Sequence, residues 1–258
     1  METFITIAAF LAVMVVASCF HVSHAQSHSH VSHWKRAHAT FYGESTDTSG
    51  TMGQGACGYD NLYIQGLGFT SALSPVLFRE GASCGGCYEI KCSDDNRWCN
   101  AGNPSVTITV THTCSPADPN DGIYGGDVFY AHFNMSKPAF SQISSRGAGY
   151  VPVLYRRVPC KKQGGIEFTL NGNRLSNLVL VSNVAGEGEV SAMSVKGNQT
   201  GWISMKRKWG QNWECDTALV GQSLSFQVTT SDGKQATSYN VVPSNWQFGQ
   251  TFSGNQIY

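Results

Sequence analysis

Four cysteines, Cys84, Cys87, Cys92 and Cys99, fall within sixteen residues of a 258-residue chain, separated by gaps of two, four and six residues. Thiols at this density admit two chemistries, a thiolate metal site or a disulfide knot, and either one staples the backbone around it. A structural zinc ribbon wants two close pairs joined by a longer arm, and the pair Cys92 and Cys99 is too open for that pattern. The compartment in which the chain folds decides between the two.

Residues 4 to 20 form an uncharged apolar run, the length of a signal core and short of a comfortable membrane span, and Ser23-His24-Ala25 follows as a small-x-small cleavage site. Residues 1–25 therefore read as a signal peptide, with the mature chain starting near Gln26 and secreted. Cys19 leaves with the signal, so Cys57, Cys84, Cys87, Cys92, Cys99, Cys114, Cys160 and Cys215 remain in an oxidising compartment. Disulfides become the default, and no metal site is expected.

The balance of 17 basic to 17 acidic residues leaves no net field to steer a polyanion, so a nucleic-acid partner is not expected. Only 13% of residues are charged and 28 are glycine, a profile of strands and turns. Residues 26–38 continue a histidine-rich tract (His21, His24, His28, His30, His33 and His38) that reads as a mature N-terminus without a fold of its own.

From Ala39 a strand start runs into a long Gly/Ser/Thr loop ending at Cys57. Loops of that length in a compact domain tend to be functional. Thr40, Tyr42 and Asp47 offer hydroxyl, phenol and carboxylate, a set suited to sugar hydroxyls. The stretch from Phe69 to Gly81 reads as a short helix, with Thr70 as N-cap and Leu73, Val76 and Leu77 at helical spacing. Val106 to Thr111 alternates as a strand, Ser136 to Ile143 reads as a second short helix, and Tyr150 to Val158 as a strand before Cys160.

Beyond Cys160 the texture changes, and residues 161–164 read as a linker. Strand patterns follow at Ile166 to Leu170, Leu178 to Val184, Val190 to Lys196 and Leu224 to Thr230, with Asn171-Gly172 and Asp232-Gly233 as hairpin signals. A small β-sandwich over 165–258 is expected. Trp202, Trp209, Trp213 and Trp246 lie in it. In extended chain Trp209 and Trp213 would share a face about 13 Å apart, and aromatic rings on a flat face stack on pyranose rings. Trp209, Trp213 and Trp202 are thus candidate polysaccharide-binding residues, with burial in the core as the competing reading.

These features together resemble the plant expansins of the alpha type. The resemblance rests on His38-Ala-Thr-Phe-Tyr-Gly43, Asp47-Thr-Ser-Gly-Thr-Met-Gly53, Gly55-Ala-Cys-Gly-Tyr59, Cys84-Gly-Gly-Cys-Tyr-Glu-Ile-Lys-Cys92, Tyr155-Arg-Arg-Val-Pro-Cys160, Val181-Ser-Asn-Val-Ala-Gly186, Trp209-Gly-Gln-Asn-Trp213 and Trp246-Gln-Phe-Gly-Gln250. It covers nearly the whole mature chain. It implies a mainly β protein: a double-psi β-barrel like that of the family-45 glycosidases over 39–160, then an immunoglobulin-like β-sandwich that binds cellulose. It further implies loosening of plant cell walls without hydrolysis, favoured at acid pH, no cofactor, a monomer, and cellulose with xyloglucan or other matrix glycans as partners. The implied location is the extracellular plant wall, with no integral membrane segment after signal cleavage and at most a peripheral membrane association.

The family pattern also implies the pairs Cys57–Cys84, Cys87–Cys160 and Cys92–Cys99, leaving Cys114 and Cys215 free or joined to each other. It places Thr40, Tyr42, Asp47, His132 and Asn134 in a groove. The family's His-Phe-Asp motif reads His132-Phe133-Asn134 here. Glycoside cleavage needs two carboxylates, and an amide bonds a sugar hydroxyl but delivers no proton. Only Asp121 or Asp127 offers a nearby substitute carboxylate. A glycan-binding protein that has lost loosening activity is one rival reading, and a weak glycosidase or lytic transglycosylase is a second. Asn134-Met-Ser136 and Asn198-Gln-Thr200 are glycosylation sequons, Asn198 the expected acceptor. Leu175-Ser176 stands where the family carries Tyr-Phe.

Overall fold

The computed structural model describes residues 32–42, 55–59, 69–93, 97–114, 130–174 and 176–258. The expected signal peptide (1–25), residues 26–31 of the histidine tract, Asp47, Asp121, Asp127 and Leu175 lie outside the described residues.

Six strands close into a barrel: β1 (Lys35–Tyr42), β2 (Thr70–Leu73), β3 (Cys87–Cys92), β4 (Ser105–Thr113), β5 (His132–Ser136) and β6 (Val151–Arg157). Their order around the wall is β1-β5-β2-β4-β3-β6, with β1 parallel to β5 and β2 parallel to β4. Alternation fills the interior: Ala39, Leu73, Ile90, Ile108, Phe133 and Val153 point inward, while their neighbours in sequence point out. The helix α1 (Pro75–Phe78) follows β2, and α2 (Lys137–Ile143) follows β5 with Phe140 and Ile143 buried against the barrel.

The short helix expected from Phe69 to Gly81 is corrected in part. Thr70 to Leu73 is a buried strand, and the helix begins only at Pro75, ending in a 3-10 turn over Arg79–Gly81. Pro75 is the reason. Its ring disfavours helix at the preceding residue, so Ser74 stays extended at ψ 153 and the strand runs up to it.

The second unit is a sandwich of two sheets. One has the order β10 (Ile203–Ser204), β9 (Val190–Gly197), β13 (Leu224–Thr230), β14 (Gln235–Val242). The other has the order β11 (Lys206–Trp209), β12 (Asn212–Cys215), β8 (Ser176–Ser182), β7 (Glu167–Asn173), β15 (Thr251–Ser253). Phe168 of one sheet stacks on Phe226 of the other with ring centroids 4.3 Å apart, at the centre of the sandwich core. Asn171 and Gly172, expected to form the hairpin turn, instead stay in the ladder opposite Leu178 and Asn177, and the pairing continues to Asn173 opposite Ser176. No helix among the described residues is long and apolar enough to cross a membrane.

Three disulfides, Cys57–Cys84, Cys87–Cys160 and Cys92–Cys99, join the pairs that the resemblance implies. Cys114 and Cys215 are buried and are not joined to each other.

Candidate functional site

Register places a row of side chains across four adjacent strands of the barrel. Thr40 on β1 faces Asn134 on β5, Asn134 faces Ala72 on β2, and Ala72 faces His112 on β4. Partners in register project on the same side of a sheet, here away from the packed interior. Residues two positions along the same strands, Tyr42, Thr70 and His132, extend the row into a polar patch.

The patch is internally bonded. Thr40 donates its hydroxyl to Asn134 Oδ1 at 3.1 Å, and lies 2.9 Å from His132 Nε2. A hydroxyl has one proton to give, so with that proton on Asn134 the His132 Nε2–H must donate to Thr40. His132 Nδ1 is then a bare acceptor, buried and without a partner. Burial, with His38 adding repulsion, pushes the His132 pKa down to about 4. Tyr42 and Thr70 share a hydrogen bond of 2.8 Å, and the Tyr42 ring sits 6.3 Å from that of His112. His38 stacks on Tyr150 at 4.7 Å beside the patch.

Four of the five groove candidates, Thr40, Tyr42, His132 and Asn134, are therefore brought together, while Asp47 lies outside the described residues. Sequence reasoning missed His112. Its Nδ1 lies 2.7 Å from Thr111 Oγ1, and its Nε2 has no partner. Its ring lies where a Cβ on residue 55 would be, 2.4 Å away, so only glycine fits there. Alternation along β4 would have turned His112 inward with Ile108 and Val110; a register shift against β2 skips Thr111 and brings His112 into the row, and no sequence signal marked that shift.

The sandwich corrects one candidate. Trp213 is 3% exposed, its indole N–H donates to Gln211 Oε1 at 3.3 Å, and the Arg207 guanidinium covers its ring at 4.5 Å. The extended geometry expected from Trp209 to Trp213 fails because Gly210, at φ +52, turns the chain into a hairpin that places Trp213 opposite Arg207. Trp213 is a core residue. Trp209 remains 38% exposed at the end of β11, and Trp202 is 39% exposed beside the other sheet. Trp246 is buried, donating to Gln222 O at 3.1 Å.

The Trp209 hairpin is anchored to the barrel. Gln211 N donates to Cys57 O at 3.0 Å, and Gln211 Nε2 donates to Cys84 O at 2.8 Å, so one residue grips both ends of a disulfide. Nearby, the Glu189 carboxylate binds Arg79 at 2.6 Å and Arg157 at 2.8 Å, and Arg157 also reaches Glu187 at 3.0 Å. Backbone, disulfide and ion pairs thus couple the barrel patch to the sandwich. No cluster of three metal-ligating side chains occurs among the described residues.

Comparison with known proteins follows this division. Residues 166–243 match the family model for the expansin C-terminal domain, and residues 70–155 match a model described as lytic transglycolase. Expansin-A25 of Oryza sativa subsp. japonica is 52% identical over 230 residues, covering 87% of this chain and 89% of that protein. Expansin-A22 of Arabidopsis thaliana is 49% identical over 222 residues, covering 86% and 78%. Among solved structures, the apo expansin of Clavibacter michiganensis superposes with a TM-score of 0.67 at 16% identity, over 88% of this chain and 98% of that one. A mutant of the same protein, solved in complex with cellohexaose, gives a TM-score of 0.66 at 15% identity, with the same coverage.

Proposed function

The chain belongs to the expansins, among those of the A type, and from that premise we propose that it loosens plant cell walls without cutting their polysaccharides. The barrel patch engages one glycan chain and Trp209 of the sandwich packs against a sugar ring, loosening the non-covalent contacts between cellulose and matrix glycans such as xyloglucan. The protein works as a secreted monomer in the wall.

The observation that carries this reading is the bonding at Asn134. The side chain is an amide, it already accepts a hydrogen bond from Thr40, and its neighbour His132 is held neutral by burial. This arrangement exchanges hydrogen bonds with hydroxyl groups and has no acid at residue 134 to protonate a glycosidic oxygen. Thr40, Tyr42, His132 and Asn134 are the groove residues of the proposal, joined by His112. Of the two sequons, Asn134 is 7% exposed and bonded to Thr40 on β1, whereas Asn198 stands exposed in the turn after β9. Asn198 is the proposed glycan acceptor.

The test is creep of heat-inactivated wall strips under constant load at acid pH, with the protein beside its Asn134→Asp variant and reducing ends assayed in the same bath. Extension without new reducing ends is the expected result for the wild type. New reducing ends in proportion to extension would overturn it in favour of a glycan-cleaving enzyme.

A further inference from the structure

The outer face of the four-stranded sheet has a composition unlike the rest of the sandwich. Register gives its rows directly: Ser204, Ser194, Gln227 and Thr237 form one, and Ala192, Thr229 and Gln235 another. Lys196 and Ser225 form a third, flanked by Trp202 just ahead of β10 and Tyr239 on β14. Alternate residues of the same strands, Val195, Phe226, Val228 and Met193, point into the core. Every outward side chain in these rows is a hydroxyl, an amide, a methyl or an aromatic ring, with Lys196 the only ionisable group apart from the Tyr239 phenol. The other sheet differs, carrying the Lys208–Glu214 ion pair at 2.8 Å and Glu167.

Two aromatic rings lie over this neutral face. Trp202 and Tyr239 start from opposite edges of the sheet and lean together until their centroids are 6.1 Å apart, at 60°. Tyr239 is 66% exposed and Trp202 more than a third, so the pair presents open ring surface to solvent. Further along the same face the amides are held in place: Gln227 Nε2 donates to Thr237 at 3.2 Å, and Gln235 Nε2 to Thr229 at 3.1 Å. A pyranose has apolar C–H faces and a rim of hydroxyls, and this surface offers rings for the first and fixed amides and hydroxyls for the second.

We propose that the outer face of this sheet, centred on Trp202 and Tyr239, is a second glycan-binding surface that takes a single neutral β-linked glucan chain. It is separate from the surface at Trp209, which stands on the edge strand of the opposite sheet. The inference rests on the glucan-binding reading above and extends it. A molecule with aromatic platforms on both sheets holds two chains at once, which suits a protein that acts between wall polymers.

The experiment uses the full mature protein, labelled with ¹⁵N in its tryptophan indoles and titrated with cellohexaose as wild type, Trp209→Ala and Tyr239→Ser. The Trp202 indole signal should shift saturably in the wild type and in Trp209→Ala, with dissociation constants within twofold of each other. Tyr239→Ser should weaken the Trp202 titration about fivefold, the loss of one ring contact of about 1 kcal/mol. An exposed surface position changes stability little, and dispersion of the remaining indole signals checks the fold.

No saturable shift at Trp202, with cellulose retention that depends on Trp209, would overturn the second surface and leave the proposed function standing. A wild type that neither shifts nor is retained by cellulose would overturn both. An Asn198→Gln protein distinguishes the remaining source of sugar. If Trp202 responds to cellohexaose only after that change, the face belongs to the protein's own glycan and the proposal is wrong.

Discussion

Replacing Asn134 by aspartate puts a charge where the structure has a bonded amide. Thr40 bridges the two residues, 2.9 Å from His132 and 3.1 Å from Asn134, so the new carboxylate would lie no more than about 6 Å from the imidazole. Two opposite charges at about 6 Å in a medium of effective dielectric about 20 attract by about 2.8 kcal/mol. At 1.36 kcal/mol per pKa unit, that is about two units in favour of the imidazolium. The His132 pKa, about 4 in the wild type, should therefore rise to about 6 in Asn134→Asp. The carboxylate gains the same attraction, which offsets its own burial. The assay is an NMR pH titration of the His132 ring protons, assigned by their loss in His132→Gln. A variant pKa within half a unit of the wild type would show that Thr40 does not couple the two side chains, and would refute the bonding scheme drawn for the groove.

Three further outcomes follow from features already described. Because burial holds the folded His132 pKa near 4 against an ordinary value of about 6.5, its neutral form contributes stability that is complete above about pH 6.5. That stability is lost as the pH falls toward 4, by about 3 kcal/mol in all. His132→Gln should flatten the acid limb of a stability curve from chemical unfolding, and an unchanged limb would count against the assignment. The Glu189 carboxylate is 6% exposed between Arg79 and Arg157, so Glu189→Ala should cost about 2 kcal/mol by removing the group that joins the two guanidinium groups, Arg157 keeping Glu187 as its partner. A measured loss under 1 kcal/mol would sink that account. Gly210 has φ +52, and a Cβ there would stand 2.6 Å from Cys57 Cα, so Gly210→Ala should cost about 2 kcal/mol or more. It should also speed tryptic cleavage at exposed Lys161, and an unchanged cleavage rate would mean the hairpin docks without that close approach.

Much of the fold was legible because strands announce themselves by alternation. Val106 to Thr111, Leu178 to Val184 and Leu224 to Thr230 all lie in or across observed strands, and the Asp232-Gly233 turn separates β13 from β14. Two of the failures share one cause, a local pattern overridden by a single backbone residue. Leu73, Val76 and Leu77 have helical spacing, yet Pro75 divides them between a strand and a helix. Trp209 and Trp213 have strand spacing, yet Gly210 turns the chain between them. The groove was legible as a list of residues through family resemblance. Its geometry was not, because the row from Thr40 to His112 is built by long-range register across β1, β5, β2 and β4. Tyr239 carries no sequence signal either, since its meaning comes only from Trp202 across the sheet.

The grip of Gln211 on Cys57 and Cys84 bears on how the molecule must be made. The Cys57–Cys84 bond ties together the two segments whose carbonyls Gln211 spans, so closing it should favour docking of the sandwich hairpin. If the sandwich binds cellulose as proposed, recombinant material made without an oxidising step should still be retained by cellulose through that unit while its barrel lacks the Cys57–Cys84 closure. Retention on a cellulose column is thus a poor criterion of correctly made protein, and a thiol count after denaturation is a better one.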